Sequence, residues 1–279
     1  MTSCGIHGHE VAGYVLDPWL VMPLGVSLVL YLIGWSRLGW GLHRRAVCYL
    51  VAWSTLVAAL VTPFHELAEH SFAFHMVEHE IIMAVSAPLF VAARPYGVLL
   101  WGLPETLRAK FAHALRRDVV RNAWRFLRLP LSATLVQGAV IWLWHVPGVF
   151  DATVNSLPVH RWQHLSFLVS ALLFWYAVSP AYRAGQALAC VFFTMLHTSI
   201  LGALLALAPR VLYPMQTLHA GEWGLSALED QQLAGMLMWV PAGTVYVGAA
   251  LFYAMRWIRS GSHVVAPATL ATRGNQGGL

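Results

Sequence analysis

The stretch Phe74–Ala93, which reads FHMVEHEIIMAVSAPLFVAA, combines a long apolar run with two histidines close to its start. A helix rises about 1.5 Å per residue, so about 20 apolar residues cross the hydrocarbon core of a bilayer. His75 and His79 stand four residues apart, and their imidazoles therefore project from one face of that helix. The stretch predicts a membrane-spanning helix with a polar site at one end.

Six further stretches are long and apolar enough, or nearly so, to cross a membrane. They are Trp19–Ser36, Val47–Thr62, Leu131–Trp144, Leu165–Ser179, Ala187–Ala208 and Leu233–Trp257. Of the 279 residues, 58% are hydrophobic and only 10% are charged, whereas soluble domains carry about 25% charged residues. We therefore expect an all-α polytopic membrane protein, with one bundle of seven transmembrane helices over residues 19–257 and no nucleic-acid partner.

The segment between the third and fourth spans, residues 104–128, is too polar to cross. Its apolar residues recur every four positions and are surrounded by arginines and a lysine. This pattern predicts an amphipathic helix that lies on the inner, anionic leaflet of the membrane. A soluble helical hairpin in the same loop is the alternative.

The basic residues indicate how the bundle is oriented. All of the 17 lysines and arginines except Arg161 and Arg210 fall in one set of alternate loops or near the C-terminus. Because basic residues concentrate on the cytoplasmic side, the N-terminus is predicted outside and the C-terminus inside. Residues 1–18 are then a short outer tail and residues 258–279 a disordered inner tail. No basic region followed by an apolar run and a cleavage site precedes the first span, so we expect no removable signal peptide.

With this topology, most histidines lie on the outer side. Of the 14 histidines, all except His43, His113 and His263 are predicted there. Isolated histidines at the interface, such as His65, are interpreted as amphipathic anchors. The outer run Cys4, His7 and His9 could capture a metal, although a short tail of this kind could equally bind nothing.

His75 with His79 and His160 with His164 form two pairs with four-residue spacing, and His197 lies near the middle of the sixth span. Ionisable groups inside a membrane are costly and usually mark functional sites, so these residues predict a metal or cofactor site. Asp230 is a candidate partner that fixes an imidazole tautomer. Thioethers would add a preference for Cu(I), whereas imidazole alone also suits zinc and iron. The candidate metal-site residues are His75, His79, His145, His160, His164, His197, Asp230, Met76 and Met238.

Four motifs follow one another along the chain. They are HMVEH (75–79), WLWHVP (142–147), HRWQH (160–164) and DQQLAGMLMW (230–239). Together with His197, they resemble the CtaG family of caa3-type cytochrome c oxidase assembly factors, over about residues 17–257. The resemblance implies a seven-span protein of the bacterial plasma membrane that holds copper at its outer face. It also implies delivery of that copper to an apo oxidase subunit, with an outer-side copper chaperone as a further candidate partner.

Two residues depart from the family pattern, because Glu78 stands where a glutamine is expected and Ala234 where a glycine is expected. Glu78 adds an acidic group beside the histidine pair and leaves the identity and charge of the metal open. We expect a metal-handling assembly factor and no enzyme. The alternatives are a haem-binding membrane protein and an intramembrane zinc-dependent hydrolase, although the sequence contains no HExxH motif. An ion pathway is disfavoured, since the polar groups are concentrated in one leaflet.

Overall fold

The structure of the protein is a computed structural model that describes residues 17–39, 43–179 and 184–262. Every regular element within these ranges is a helix, as expected for an all-α protein. A π-helical segment covers Ile81–Ser86, and a 3-10 helix covers Ala220–Trp223. The α-helices are α1 (Pro18–Arg37), α2 (His43–Leu60), α3 (Pro63–His70), α4 (Phe72–Glu80), α5 (Ala87–Ala93), α6 (Tyr96–Gly102), α7 (Glu105–Leu115), α8 (Asp118–Leu127), α9 (Pro130–Trp144), α10 (Pro147–Asn155), α11 (Leu157–Ala177), α12 (Ala184–Ala206) and α13 (Ala227–Ser262).

Several of these helices are long and apolar enough to cross a bilayer. Four segments qualify singly, namely Pro18–Arg37, Phe72–Ala93, Ala184–Ala206 and Ala227–Arg259. Two bent pairs, α2 with α3 at 47° and α8 with α9 at 80°, raise the number to six if each pair is one span. Each of the seven stretches predicted to span is largely helical. The protein is thus multi-pass, while the count of seven and the orientation of the termini stay predictions.

The outer faces of the long helices are apolar. On α12, Phe192, Leu196 and Leu204 are each about half exposed, and Val247 and Leu251 repeat the pattern on α13. Contiguous apolar surface of this kind is rare on soluble monomers and mostly marks an interaction site. Here it runs along helices of membrane-spanning length, so these faces are suited to lipid.

The third predicted span is one continuous helical rod with a π-helical middle. The wider π turns change the hydrogen-bonding register of the backbone, and such segments often lie at functional sites. The indole Nε1 of Trp175 donates a hydrogen bond to the Met83 carbonyl (2.9 Å), and the Ser86 and Thr55 hydroxyls lie 2.9 Å apart. Contacts from α11 and α2 therefore hold the segment in place.

The structure corrects two expectations about the ends and loops. The segment 104–128 forms two helices, α7 and α8, because the backbone is extended at Arg117 and a new helix begins at Asp118. Neither helix contains a buried residue, and α8 is strongly amphipathic. At the C-terminus, α13 continues past Trp257 to Ser262, into the predicted tail. The rest of that tail and residues 1–16, with Cys4, His7 and His9, lie outside the described residues.

The two ends of the bundle differ in chemistry. At one end, Arg161 at the start of α11 donates from Nε to the Asp17 carboxylate (2.7 Å), which also caps the start of α1. At the other end, the Arg37 guanidinium donates to the Trp101 carbonyl (2.8 Å). Most of the histidines lie near the first of these ends, which we call the histidine end. Its opposite, where α7 and α8 lie, is rich in arginine.

Helices α12 and α13 cross at a pair of glycines. A Cβ atom added at Gly235 would lie 2.5 Å from the Ala206 nitrogen and 2.7 Å from the Gly202 carbonyl oxygen. Such distances are too short for any side chain, so these two backbones touch directly. Small residues at crossings of this kind drive helix association in membranes.

We therefore expect Gly235→Ala to destabilise the bundle by about 1–3 kcal/mol, the usual cost of overpacking. Gly243→Ala on the same helix is the matched control, since nothing lies within 4 Å of its Cβ position. Thermal unfolding in detergent measures both variants. The crossing is not tightly packed if the two variants unfold at the same temperature.

Candidate metal centre

Two turns of α4 position the first histidine pair. His75 and His79 are both buried, and their ring centroids lie 4.3 Å apart. The helix begins immediately before them, where Ser71 and the first backbone amides of α4 bind Asp230 of α13. The four-residue spacing read in the sequence therefore yields two adjacent imidazoles inside the bundle.

The second pair, on α11, meets the first. The ring of His164 lies 5.2 Å from that of His79 and 6.0 Å from that of His75. His160 lies 4.4 Å from His164 and 5.5 Å from His75, again between centroids. One ligand nitrogen from each of His75, His79 and His164 lies within 4.8 Å of the others, a spacing at which one ion could be shared.

The structure adds two residues to this cluster, His65 and Glu78. The fully buried Glu78 carboxylate accepts a hydrogen bond from Nδ1 of His65, with Oε1 at 2.7 Å. Its other oxygen, Oε2, lies 3.8 Å from Nε2 of His164 and 3.9 Å from Nδ1 of His75. The sequence suggested that His65 is an interface anchor. Its place in the cluster becomes visible only from the packing of α3 against α4. We call His65, His75, His79, His160, His164 and Glu78 the imidazole cluster.

Many polar atoms of the imidazole cluster have no hydrogen-bond partner among the described residues. Both ring nitrogens of His75 and of His79 are buried and unpaired, and so are Nε2 of His160 and of His164. An unsatisfied buried polar atom costs about 1–3 kcal/mol. Native interiors contain few such atoms, so their concentration in one place fits a site for a metal ion.

His145 lies beside the imidazole cluster, at the end of α9. Its ring is 6.0 Å from that of Phe150, which in turn is 5.4 Å from that of His75. Nδ1 lies 2.7 Å from the Ile141 carbonyl and donates to it, which leaves the buried Nε2 as an unpaired acceptor. Burial lowers the pKa of His145 to about 4. The ring is therefore neutral at physiological pH, as a metal ligand must be.

A tyrosine from the loop between α12 and α13 covers this side of the cluster. The Tyr213 hydroxyl donates to the His145 carbonyl at 2.6 Å, and its ring packs 5.0 Å from that of Phe72. Burial raises the pKa of Tyr213 to about 12, so the hydroxyl remains a donor. The loop is further tied to α13, where the Gln231 side chain accepts from the Leu212 amide at 2.6 Å.

His197 does not join the imidazole cluster. Its Nδ1 accepts a hydrogen bond from the Trp142 indole (3.3 Å), and its ring lies 5.6 Å from that of Phe193. Both aromatic partners are exposed on the apolar surface of the bundle. Position along the sixth span does not show which side of α12 this side chain faces, and the structure places His197 apart from the three convergent histidines.

Three other candidates have structural roles. Both Asp230 oxygens accept hydrogen bonds at the start of α4, with Oδ2 at 2.9 Å from the Phe72 amide and Oδ1 at 3.0 Å from the Ala73 amide. Asp230 is thus a helix cap, and within the described residues the carboxylate that orients an imidazole is Glu78. Met76 and Met238 are both buried in the hydrophobic core of the bundle.

A cavity of about 240 Å³ lies against the imidazole cluster at the histidine end. Its walls include His75 and His160 from the cluster and the exposed residues His70 and His219. The cluster is therefore buried but adjoins a space that solvent-exposed side chains also line.

The bundle with lipid-suited faces and a buried set of imidazoles defines a multi-pass membrane protein with a candidate metal site. The family model described as cytochrome c oxidase caa3 assembly factor (Caa3_CtaG) matches residues 29–260. The chain belongs to this family, which confirms the resemblance found in its motifs. No curated protein and no solved structure gave a significant match.

The Asp230 cap generates a prediction. Asp230→Ala leaves the Phe72 and Ala73 amides without an acceptor, and we expect a loss of about 2–3 kcal/mol from a lost cap and orphaned donors. Glu229→Ala is the control, because that exposed carboxylate binds within its own first turn, at the Ser226 amide. Thermal unfolding in detergent compares the two variants, and equal midpoints would contradict the role of Asp230.

Proposed function

We propose that the imidazole cluster binds copper and that the protein passes this copper to an apo subunit of a caa3-type cytochrome c oxidase. The observation that carries the proposal is the convergence of His75, His79 and His164, whose ligand atoms lie within 4.8 Å of one another. Ring nitrogens of these residues have no hydrogen-bond partner among the described residues. Membership of an oxidase assembly family supports a role in supplying a metal to that enzyme.

The donor chemistry supports copper as the cargo. Imidazole nitrogen suits copper, zinc, iron and nickel, and among divalent ions of the first row the affinity of such sites is highest for copper. The Glu78 carboxylate, buried within 4 Å of two of the imidazoles, adds negative charge that favours a cation. Zinc fits the same three nitrogens and is the metal against which copper must be compared.

The distribution of charge supports an outer position for the imidazole cluster. Arginines concentrate at the end of the bundle opposite the imidazole cluster, and basic residues mark the cytoplasmic side of membrane proteins. We therefore assign the histidine end to the outer face of the bacterial plasma membrane, with seven spans, an outer N-terminus and an inner C-terminus. On that face the protein would receive copper from an outer-side copper chaperone and release it to an apo oxidase subunit.

Haem is a weaker candidate for this site. Two histidines that ligate haem iron axially must leave space for the macrocycle between them. The rings of His75 and His79 are 4.3 Å apart, and those of His160 and His164 are 4.4 Å apart. Neither same-helix pair leaves room for a porphyrin. On the opposing helices, the His164 ring lies 5.2 Å from that of His79 and 6.0 Å from that of His75, and the rings of Phe150 and Phe167 pack on the same two histidines where the macrocycle would have to lie.

A zinc-dependent hydrolase is the second candidate, and one observation favours it. Three imidazoles with an open coordination position are also the ligand set of catalytic zinc sites. The buried Glu78 carboxylate lies within 4 Å of two of these imidazoles, those of His75 and His164. Hydrolysis of amide or ester substrates by the zinc-loaded protein, abolished by chelation, would favour this candidate over copper delivery.

The copper site is tested by removing its first pair of histidines. We expect the purified wild type to retain copper and the double variant His75→Ala, His79→Ala to lose it from the cluster, because two of the three convergent nitrogens are gone. His113→Ala, on the exposed α7, is the control. Metal analysis after removal of loosely bound ions gives the result, and gel filtration checks that the variant is folded. Equal copper content in the wild type and the double variant would refute the site.

The same variants test the assembly role in cells that lack the chromosomal copy. We expect the wild type and His113→Ala to restore the copper content and activity of the caa3-type oxidase, and the double variant to restore neither. Restoration by a folded double variant would separate oxidase assembly from the imidazole cluster.

Glu78 provides a test of charge. Glu78→Gln keeps an oxygen that can accept from Nδ1 of His65 but removes the negative charge next to His75 and His164. We expect at least a tenfold loss of Cu²⁺ affinity, equivalent to about 1.4 kcal/mol, with little change in thermal stability. Glu105→Gln, far away at the start of α7, is the matched control. Competition with a chelator measures the affinities, and an unchanged value would exclude a contribution from the carboxylate.

A further inference from the structure

A second group of metal-ligating side chains converges at the histidine end, outside the imidazole cluster. Nδ1 of His219 lies 2.8 Å from Oε1 of Glu222, and Nδ1 of His70 lies 3.2 Å from Oε2 of the same carboxylate. One ligand atom from each residue lies within 4.8 Å of the other two. We call His70, His219 and Glu222 the rim group.

Tertiary contacts hold the rim group together. His70 ends α3, whereas His219 and Glu222 belong to the loop and 3-10 helix before α13. The Trp223 indole, next to Glu222, donates to the His70 carbonyl at 3.2 Å, and its ring packs 5.3 Å from that of Phe74 on α4. The rings of His70 and His219 also lie 4.8 Å apart. The convergence is therefore built by packing between distant parts of the chain.

The chemistry of the rim group differs from that of the imidazole cluster. The side chains of His70, His219 and Glu222 are 41%, 50% and 56% exposed, so a bound ion would exchange with solvent. Two imidazoles with one carboxylate and an open position form a ligand set for divalent transition metals, among which copper binds most tightly.

The hydrogen bonds from His70 and His219 to Glu222 would satisfy the three side chains without a metal. The indication of metal binding is therefore the position of the rim group beside the imidazole cluster. His70 and His219 line the 240 Å³ cavity whose walls also include His75 and His160 of the imidazole cluster. Glu69 and Gln216 supply oxygen atoms along the same walls. Side chains of the rim group and of the imidazole cluster therefore border the same cavity, together with further polar residues.

We propose that His70, His219 and Glu222 form a second metal site, which binds Cu²⁺ at the rim and loads the imidazole cluster through the cavity. The transfer is an exchange of ligands, in which imidazole nitrogens of the cluster replace those of the rim while the oxidation state of the ion is unchanged. The loading role rests on the proposed function of the imidazole cluster. Binding at the rim stands independently of it.

Equilibrium titration of the purified full-length protein with Cu²⁺ tests the site. We expect the wild type to bind one ion at the rim and one in the cluster. The rim variant, His70→Ala with His219→Ala, should lose the weaker ion, and the cluster variant, His75→Ala with His79→Ala, should lose the tighter one. His113→Ala is the control. Both rim histidines are exposed, so the rim variant is expected to fold, and circular dichroism verifies this.

Rapid mixing with Cu²⁺ tests the loading role. We expect the cluster of the rim variant to fill at least tenfold more slowly than that of the wild type, and to reach the same final occupancy. Glu222→Gln should slow the filling as well, since it removes the charge of the rim and keeps its shape. An unchanged filling rate in a variant that has lost the rim ion overturns the loading role.

The outcomes separate this inference from the proposed function. If the rim variant binds as much Cu²⁺ as the wild type while the cluster variant loses its ion, the rim site is refuted and the copper cluster stands. If the cluster variant keeps all its Cu²⁺ and the rim variant loses an ion, the rim site is supported and the proposed copper cluster fails.

Discussion

The carboxylate of Asp230 on α13 holds the start of α4, and the arrangement of the imidazoles depends on this contact. The backbone amides at a helix N-terminus lack intrahelical acceptors and carry partial positive charge. Asp230 is fully buried and accepts from two of these amides and from the Ser71 hydroxyl. The contact fixes where α4 begins, and since His75 and His79 lie within its first turns, it also fixes their height in the bundle. The glycine crossing between α12 and α13 in turn positions the helix that supplies the cap.

Without a bound ion, the imidazole cluster lowers the stability of the fold. Burying polar atoms without partners destabilises a protein, whereas apolar side chains of similar volume would pack at no such cost. Within the described part of the chain, Glu78 with His65 satisfies only a few of these atoms. An ion shared by His75, His79 and His164 would satisfy several at once. The protein would then be more stable when loaded, because a ligand that binds the folded state alone stabilises it by mass action.

Periodicity and composition predict the helices and the two histidine pairs well, because both properties are local. The i, i+4 spacing of His160 and His164 determines that the rings share a helical face, and in the structure both rings lie near the α4 pair. Contacts between residues that are distant in the sequence could not be predicted in this way. The pairing of His65 with Glu78 depends on how α3 folds back on α4, and the position of His197 depends on the rotation of α12. The surface segment is divided into two helices at Arg117, where the backbone is not helical. The apolar residues continue with the same spacing on both sides of this residue, so their pattern does not indicate the break.

Under the proposed function, the protein would have to hold its ion firmly and still release it, and the histidine end offers a structural basis for both. The histidine end contains more buried imidazole nitrogens than one ion needs, since His145 and His160 lie beside the convergent three. Surplus ligands of equal chemistry would let an ion exchange one imidazole for the next without passing through a bare state, so the barrier to movement would stay below the full binding energy. Burial would keep competing water out, and the adjoining cavity would connect the site to more exposed side chains. A single closed set of four ligands, as in structural zinc sites, would hold the metal and not pass it on.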